Sequence, residues 1–333
     1  MKAYFIKRYG KSEMLTSGDL PEPGLRDDDV LVRIHAAGVN PLDNKIRDGE
    51  FKLLLPYKMP LILGNDMAGV VVRVGTGVRR FKVGDEVYAR PDDDRIGTFA
   101  EFIAIKEKSL ALKPANLTME EASSIPLVAL TAWQTLVEKG KLKKGQKVLI
   151  HAGSGGVGTI AIQLARHIGA TVATTASTAN ADMLKGLGAD IVIDYKKDDF
   201  SSKLKDYDLV LDTQGGDTLK KSLSVLKPGG KLIGIAGPPD PDFARLRGMN
   251  GFLRLVMGLL SYGIRKAARR SGASYSFHFM IANGQQLGEI TSLIEAGHIR
   301  PVVDRVFPFE ETKQALDYVE TGRTKGKVVI KVR

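Results

Sequence analysis

KVLIHAGSGGVGTIAIQLARHIGATVATTAS, residues 147–177, decides the fold. An apolar β-rich run, Lys147–Ala152, leads into a glycine-rich turn, then a helical pattern, then a second apolar run, Thr171–Thr175. In the helical part Ala161, Leu164, Ala165 and Ile168 make one apolar stripe. Gly153, Gly155 and Gly158 fall at the G-x-G-x-x-G spacing. The first such glycine permits a tight turn, the second lets backbone approach a pyrophosphate, and the third lets helix pack on strand. The helix start then offers unsatisfied N–H groups and a positive dipole end to an anion. Glycine spacing alone is a weak signal. With a strand before it and a helix after it, the stretch reads as a dinucleotide-binding βαβ unit, with Gly153, Ser154, Gly155, Gly156, Val157 and Gly158 as its loop.

The pattern continues toward the C-terminus. Ile191–Asp194, Asp208–Asp212, Lys231–Ala236 and Ser274–Ile281 are further β-type runs separated by helical patterns, which predicts a parallel sheet with helices on both faces. Toward the N-terminus, residues 1–123 alternate short β-type runs (VLVRIHAAGVN, AGVVVRVG, DEVYAR, AEFIAI, SLALKP) with turns such as Thr76-Gly77. That spacing predicts a partly open β-barrel. Thr118 and Glu121 read as N-cap and third position of a helix that opens the next region. After residue 283, a helical run, VVDRVFPF, a second helical run and KVVIKV do not extend the parallel sheet. They are expected to rejoin the first domain. The expected organisation is a discontinuous domain of 1–123 and 284–333, with a nucleotide domain of 124–283 set into it.

Bulk properties agree with two domains. The 333 residues, 43% hydrophobic and 26% charged, read as a soluble globular chain. With no cysteine there is no disulfide, thiol nucleophile or cysteine metal site. MKAYFIKRYG reads as a strand rather than a secretory leader, so the cytoplasm is the expected compartment. The most apolar window, Phe252–Ile264, contains Arg254 and is shorter than the ~20 residues of a membrane span.

AAGVNPLDNKIRDG (36–49), PLILGNDMAGVVVRVG (60–75), FKVGDEVYA (81–89), GTFAEF (97–102), ASSIPLVALTAW (122–133), HAGSGGVG (151–158), LGADIVIDY (187–195) and LDTQGG (211–216) follow one another in the order of a known family. The chain resembles the zinc-independent branch of the medium-chain dehydrogenase/reductase family, the quinone and alkenal/enone reductases. That resemblance implies an α/β architecture: a doubly wound parallel (Rossmann) sheet plus a discontinuous GroES-like, partly open β-barrel. The alcohol dehydrogenases of the family carry a cysteine at a position that falls here in Gly38-Val39-Asn40, a Gly-His-Glu where this chain has Gly64-Asn65-Asp66, and a four-cysteine zinc loop that it lacks. Zinc needs three or four converging ligands, and the five histidines are scattered, so no metal is expected. Without a Lewis acid, oxidation of plain alcohols loses its usual alkoxide stabilisation, whereas hydride delivery to a conjugated acceptor stays accessible.

The second strand ends Thr174-Thr175-Ala176-Ser177-Thr178, with no carboxylate before Asp182 to bond a ribose 2′-OH. Ser177 and Thr178 can donate to a 2′-phosphate, and Tyr195 resembles the family's tyrosine there, so NADP(H) is the expected cofactor. The family's cation after the serine is replaced by Ala179, Asn180 and Ala181. Tyr195 also reads as an aromatic packed at a strand end. By resemblance Gly237 belongs to the cofactor site, and Asn40, Asp43 and Thr131 line a cleft at the carboxyl ends of the strands. Each has a structural reading too: Asn40-Pro41 as turn initiator, Asp43 as cap, and Thr131 as donor to an i−4 carbonyl. Phe51 and Tyr57 read as packing for a flat substrate or as loop anchors, and the proton donor is left open between solvent, Tyr57 and Lys45.

Residues 239–272 hold Arg245, Arg247, Arg254, Arg265, Lys266, Arg269 and Arg270 against Asp240 and Asp242, which is +5 of the chain's net +11. The segment reads first as helices covering the sheet edge or a dimer seam, a homodimer being implied by the family. Its mixture of Leu, Met and Phe with arginine also fits an interfacial helix in peripheral membrane contact. Specific nucleic-acid binding is not expected, since no aromatic platform accompanies the charge. The expected substrate is a small quinone or enone. The competing reading is a nucleotide-binding scaffold that acts on membrane, RNA or protein partners through the basic segment.

Overall fold

Strand-forming runs appear where the alternation is strongest. The computed structural model describes residues 1–52 and 54–333. In chain order the first strands are β1 (Lys2–Ile6), β2 (Leu15–Asp19), β3 (Asp29–Val39), β4 (Leu61–Ile62), β5 (Asp66–Val74), β6 (Glu86–Ala89), β7 (Phe102–Lys106) and β8 (Leu110–Leu112). Next come β9 (Lys147–Ile150), β10 (Thr171–Ala176), β11 (Ile191–Asp194), β12 (Tyr207–Asp212), β13 (Leu226–Gly234) and β14 (Ser274–Phe277). The chain closes with β15 (Val303–Pro308) and β16 (Lys327–Lys331).

Two compact units result: Met1–Leu130 with Ile281–Arg333, and Thr131–Met280. The expected divisions after 123 and 283 therefore move. At the first, the Asp66 carboxylate accepts the Leu127 N–H (2.7 Å), which holds the start of the helix Pro126–Trp133 to the first unit. At the second, a Cβ on Gly284 would meet Leu110 O, so the helix Gly284–Glu295 that Asn283 caps must start hard against β8.

In the first unit a seven-stranded sheet runs β15-β16-β3-β5-β6-β8, with β7 also pairing β3, and a small sheet runs β2-β1-β4. Val30, Val32, Ile34, Met67, Val71, Val87 and Ile105 fill one core of this unit. The tail does rejoin it: β16 pairs antiparallel with β3, Val329 opposite Gly38. Thr118 caps Met119–Ser123 reciprocally with Glu121, as the sequence predicts.

In the second unit six strands run β11-β10-β9-β12-β13-β14, every pair parallel. Chain order 3-2-1-4-5-6 is the doubly wound dinucleotide arrangement, whose direction reverses beside its first strand. That reversal lies between β9 and β12. Leu149, Val210, Leu232, Phe200, Leu219 and Phe277 are buried in its core. All six predicted strands form, with shifted ends. β9 stops at Ile150 rather than Ala152, β13 runs Leu226–Gly234 rather than Lys231–Ala236, and β14 stops at Phe277 rather than Ile281. Among the described residues no helix is long and apolar enough to cross a membrane.

Candidate active site

Just past β9 the chain is locked before it turns. His151 is buried, with Nδ1 3.1 Å from Thr175 Oγ1 and Nε2 2.9 Å from Ser222 Oγ. The Phe200 ring stands edge-on at 4.7 Å. Burial lowers the imidazole's pKa to about 4, so it is neutral and bridges two hydroxyls. Ala152 follows with φ 51, and this residue, not Gly153, takes the left-handed conformation at the turn. The glycines have separate causes. A Cβ on Gly153 would collide with Thr174 Oγ1, and one on Gly158 would meet Ala152 O at 2.5 Å. A Cβ on Gly155 would meet only Ala152 O, at 3.3 Å. Protein packing therefore explains Gly153 and Gly158, while Gly155 is constrained by a single neighbour, the Ala152 carbonyl. Gly155 is also the N-cap of the helix Gly156–Ile168, whose first turn (Gly156, Val157, Gly158) points its N–H groups outward. A pyrophosphate fits this cradle, with Ser154 beside it.

The adenosine side brings Ser177, Thr178 and Asp194 together. Ser177 directly follows β10, and its Oγ accepts from Asn180 Nδ2 at 3.3 Å. The Thr178 hydroxyl donates to Asp194 Oδ2, and this bond holds the Asp194 carboxyl below its usual range. Asp194 lies opposite Ala176 in the β10–β11 register, so a carboxylate reaches the end of the second strand from its neighbour. No residue along β10 itself marks this carboxylate, because the contact depends on strand pairing. Lys197 Nζ stands 4.0 Å from the same carboxylate, and Tyr195 is exposed beside it.

Asp212, at the carboxyl end of β12, was not among the expected residues. Its Oδ1 accepts the N–H groups of Gln214 (3.0 Å) and Gly215 (2.6 Å), and its buried Oδ2 has no protein partner. Burial pushes this carboxyl up to about 6. LDTQGG gave a signal for it: an acid just before a glycine turn at a strand end. Gly237 has a packing cause, since a Cβ there would meet Tyr275 Oη at 2.6 Å.

The first unit holds a buried polar cluster of its own. Asn40 precedes the helix Pro41–Arg47, and its N–H donates to Asp43 Oδ2 at 2.7 Å. Asp43 Oδ1 accepts from Asn65 Nδ2 at 2.7 Å. Asn40 Nδ2 donates to Asp66 Oδ2 at 2.9 Å. Into this group comes Lys327, whose ammonium donates to Val39 O (3.1 Å), Asn40 Oδ1 and Asp66 Oδ2 (3.0 Å). Three donors meet three acceptors. Burial raises the Asp43 carboxyl to about 7 and raises Asp66 too, against the pull of Lys327. Two of the three expected catalytic residues, Asn40 and Asp43, thus meet in one network whose bonds are largely internal. Asn65 Oδ1 remains buried without a protein partner.

Zinc does not fit here. The stretch Gly38-Val39-Asn40 offers no cysteine, Gly64-Asn65-Asp66 offers an amide in place of an imidazole, and a cation, the Lys327 ammonium, already lies against the Asp66 carboxylate. Among the described residues no group of three or more His, Cys, Asp or Glu could hold a metal ion.

Thr131, the third expected residue, opens the second unit, buried, with its carbonyl accepting Thr135 Oγ1 at 2.7 Å where the helix widens into the π-helical turns Gln134–Lys139. Phe51 and Tyr57 both pack against the first unit's core around Ile46, Leu61 and Phe309. Burial raises the Tyr57 phenol above its ordinary value, and its hydroxyl has no protein partner. Lys45 instead faces solvent, 3.7 Å from Glu50.

Comparison with known proteins agrees with this geometry. Residues 26–115 match the family model described as the alcohol dehydrogenase GroES-like domain, and residues 187–330 the one described as zinc-binding dehydrogenase. The mitochondrial NAD(P)H oxidoreductase RTN4IP1 of Danio rerio is 35% identical over 100% of this chain and 91% of its own. The chain belongs to the medium-chain dehydrogenase/reductase family. The chloroplastic NADPH-dependent alkenal/one oxidoreductase of Arabidopsis thaliana is 35% identical over 99% of this chain and 79% of its own. A quinone oxidoreductase structure from Coxiella burnetii superposes with a TM-score of 0.87 at 31% identity, covering 100% of this chain and 99% of that one. The chain is therefore an oxidoreductase of this family, with alkenal/one and quinone oxidoreductases among its relatives.

Proposed function

We propose that this member of the family is an NADPH-dependent reductase delivering hydride to a quinone or to the β-carbon of an α,β-unsaturated carbonyl compound. The observation that carries the reading is Gly155. It is the glycine of the motif that protein packing constrains least, and it caps the N-terminus of a long helix at the reversal of the sheet. Gly156, Val157 and Gly158 would hold the pyrophosphate through backbone N–H groups of the helix's first turn. Ser177, Thr178 and Tyr195 would hold the 2′-phosphate, with Lys197 offsetting the Asp194 charge. The cofactor, when bound, supplies the hydride. A relative named as an NADPH-dependent alkenal/one oxidoreductase and a structural neighbour named as a quinone oxidoreductase support the acceptor class.

The chain's own part is positioning and proton supply. The Lys327–Asp66–Asn40 network fixes the turn that ends β3 without a metal, which suits an acceptor already electrophilic by conjugation. Tyr57, neutral and with a buried hydroxyl, is the better proton donor to the α-carbon than Lys45, whose ammonium is tied to surface solvent and Glu50. The test is loss of reduced-nicotinamide absorbance with NADPH and NADH in parallel, against a benzoquinone and a short alkenone. Turnover with NADPH at a kcat/KM at least about tenfold above NADH, in the range of ordinary enzymes, supports the reading. NADPH binding with no turnover of either acceptor overturns it and favours the scaffold.

A further inference from the structure

The basic segment folds as three helices of the second unit: Pro241–Leu246, Gly251–Leu260 and Tyr262–Arg270. Its inner face is anchored. Asp240 accepts the N–H groups of Phe243 (2.8 Å) and Phe277 (2.9 Å), the Phe243 and Phe277 rings meet edge-on at 5.2 Å, and Met257, Ile264 and Ala268 are buried. Its outer face is apolar and uncovered. Phe252, Leu255 and Leu259, at i, i+3 and i+7 on one helix, are 71%, 61% and 68% exposed. Leu246, Leu260 and Tyr262 are exposed as well, so six of the twelve large exposed apolar side chains among the described residues fall in this one segment. An exposed cluster of this kind marks an interaction surface rather than ordinary solvent-facing side chains.

Charge selects the partner. Arg254 is exposed on the apolar helix, and the solvent face of the next helix carries Lys266, Arg269 and Arg270 beside Tyr262, with Lys266 Nζ 5.5 Å from the Tyr262 ring. Both carboxylates of the segment are engaged, Asp240 as a buried cap and Asp242 with Arg245 at 3.3 Å. Apolar side chains at the centre with cations alongside match a bilayer surface bearing anionic headgroups. A second copy of the chain seated on the same face would set these arginines against their own equivalents. We propose that the helices Gly251–Leu260 and Tyr262–Arg270 dock the protein on an anionic membrane surface, with Phe252, Leu255 and Leu259 entering the headgroup–acyl boundary.

The test is co-sedimentation of the full chain with vesicles of phosphatidylcholine alone and of phosphatidylcholine with about 30% phosphatidylserine, at about 0.1 M and 0.5 M salt. The expected result is binding to the anionic vesicles at least tenfold tighter than to the neutral ones, weakened at least tenfold by the higher salt. Leu255→Glu with Leu259→Glu removes that binding, and Arg269→Gln with Arg270→Gln weakens it at least tenfold, with circular dichroism and thermal midpoint kept. The arginine pair also serves if the glutamate pair fails to fold. Equal binding to both vesicle types, or none, overturns the proposal. So does a dimer in sedimentation velocity that the glutamate pair converts to monomer while the wild type ignores vesicles.

Discussion

Lys327 and Asp66 lie 261 residues apart in sequence and 3.0 Å apart in space, both buried. Removing one partner of such a pair leaves the other charge stranded, at a cost of about 3–5 kcal/mol. Lys327→Met is therefore expected to lose about that much stability in urea unfolding, and Lys327→Met with Asp66→Asn to recover part of it in a double-mutant cycle. Burial holds His151 and His278 at about 4 when folded, below their ordinary 6.5. Between those values the unfolded chain binds more protons, so this stability is full above pH 6.5 and lost as pH falls toward 4, by up to about 3 kcal/mol for each histidine. Asp43, raised from 3.8 to about 7, has the opposite sign. Its contribution is full below pH 3.8 and lost as pH rises through 7. Asp212, raised to about 6, shares the sign of Asp43. The carboxyls thus oppose the histidines, and in unfolding measured across pH His151→Gln should reduce the fall in stability from pH 6.5 to 4 relative to the wild type. At the cofactor end, Asp194→Asn should raise the preference for NADPH over NADH by several-fold in kcat/KM, because it removes a carboxylate bonded to Thr178.

The glycine loop was legible as an element because its strand and helix flanks were both patterned. What each glycine does was less so. Sequence spacing assigned the turn to Gly153, yet Ala152 takes the positive φ, and Gly153 is fixed by Thr174 on the neighbouring strand. Spacing along one chain cannot show a contact with another strand. The two positions should consequently part company on substitution. Gly153→Ala is expected to destabilise the fold by about 1–3 kcal/mol through overpacking. Gly155→Ala should shift the thermal midpoint less than Gly153→Ala, since its Cβ meets only the Ala152 carbonyl at 3.3 Å. It should also weaken NADPH binding at least tenfold in a fluorescence titration, because the second glycine of the motif lets backbone approach the pyrophosphate.

Across the whole molecule, the parallel sheet could be read from six β-type runs separated by helical patterns, and the return of the tail from its failure to continue them. The first unit's polar cluster could not be read. Asn40, Asn65 and Asp66 marked the place where zinc ligands are replaced, but the cation that takes the remaining role comes from β16, at the far end of the chain. The amphipathic character of 239–272 was visible as composition, while the choice of which face lies inward depended on Phe277 and Asp240. An organisation that keeps an ammonium beside Asp66 predicts no response to metal removal: prolonged chelation should leave both thermal midpoint and turnover unchanged.

NADPH deuterated at C4 tests direct hydride delivery. With a short alkenone as acceptor, mass spectrometry and NMR of the product should place the deuterium on the β-carbon and a solvent proton on the α-carbon. Product without the label at the β-carbon, from cofactor deuterated on either face, would contradict the account.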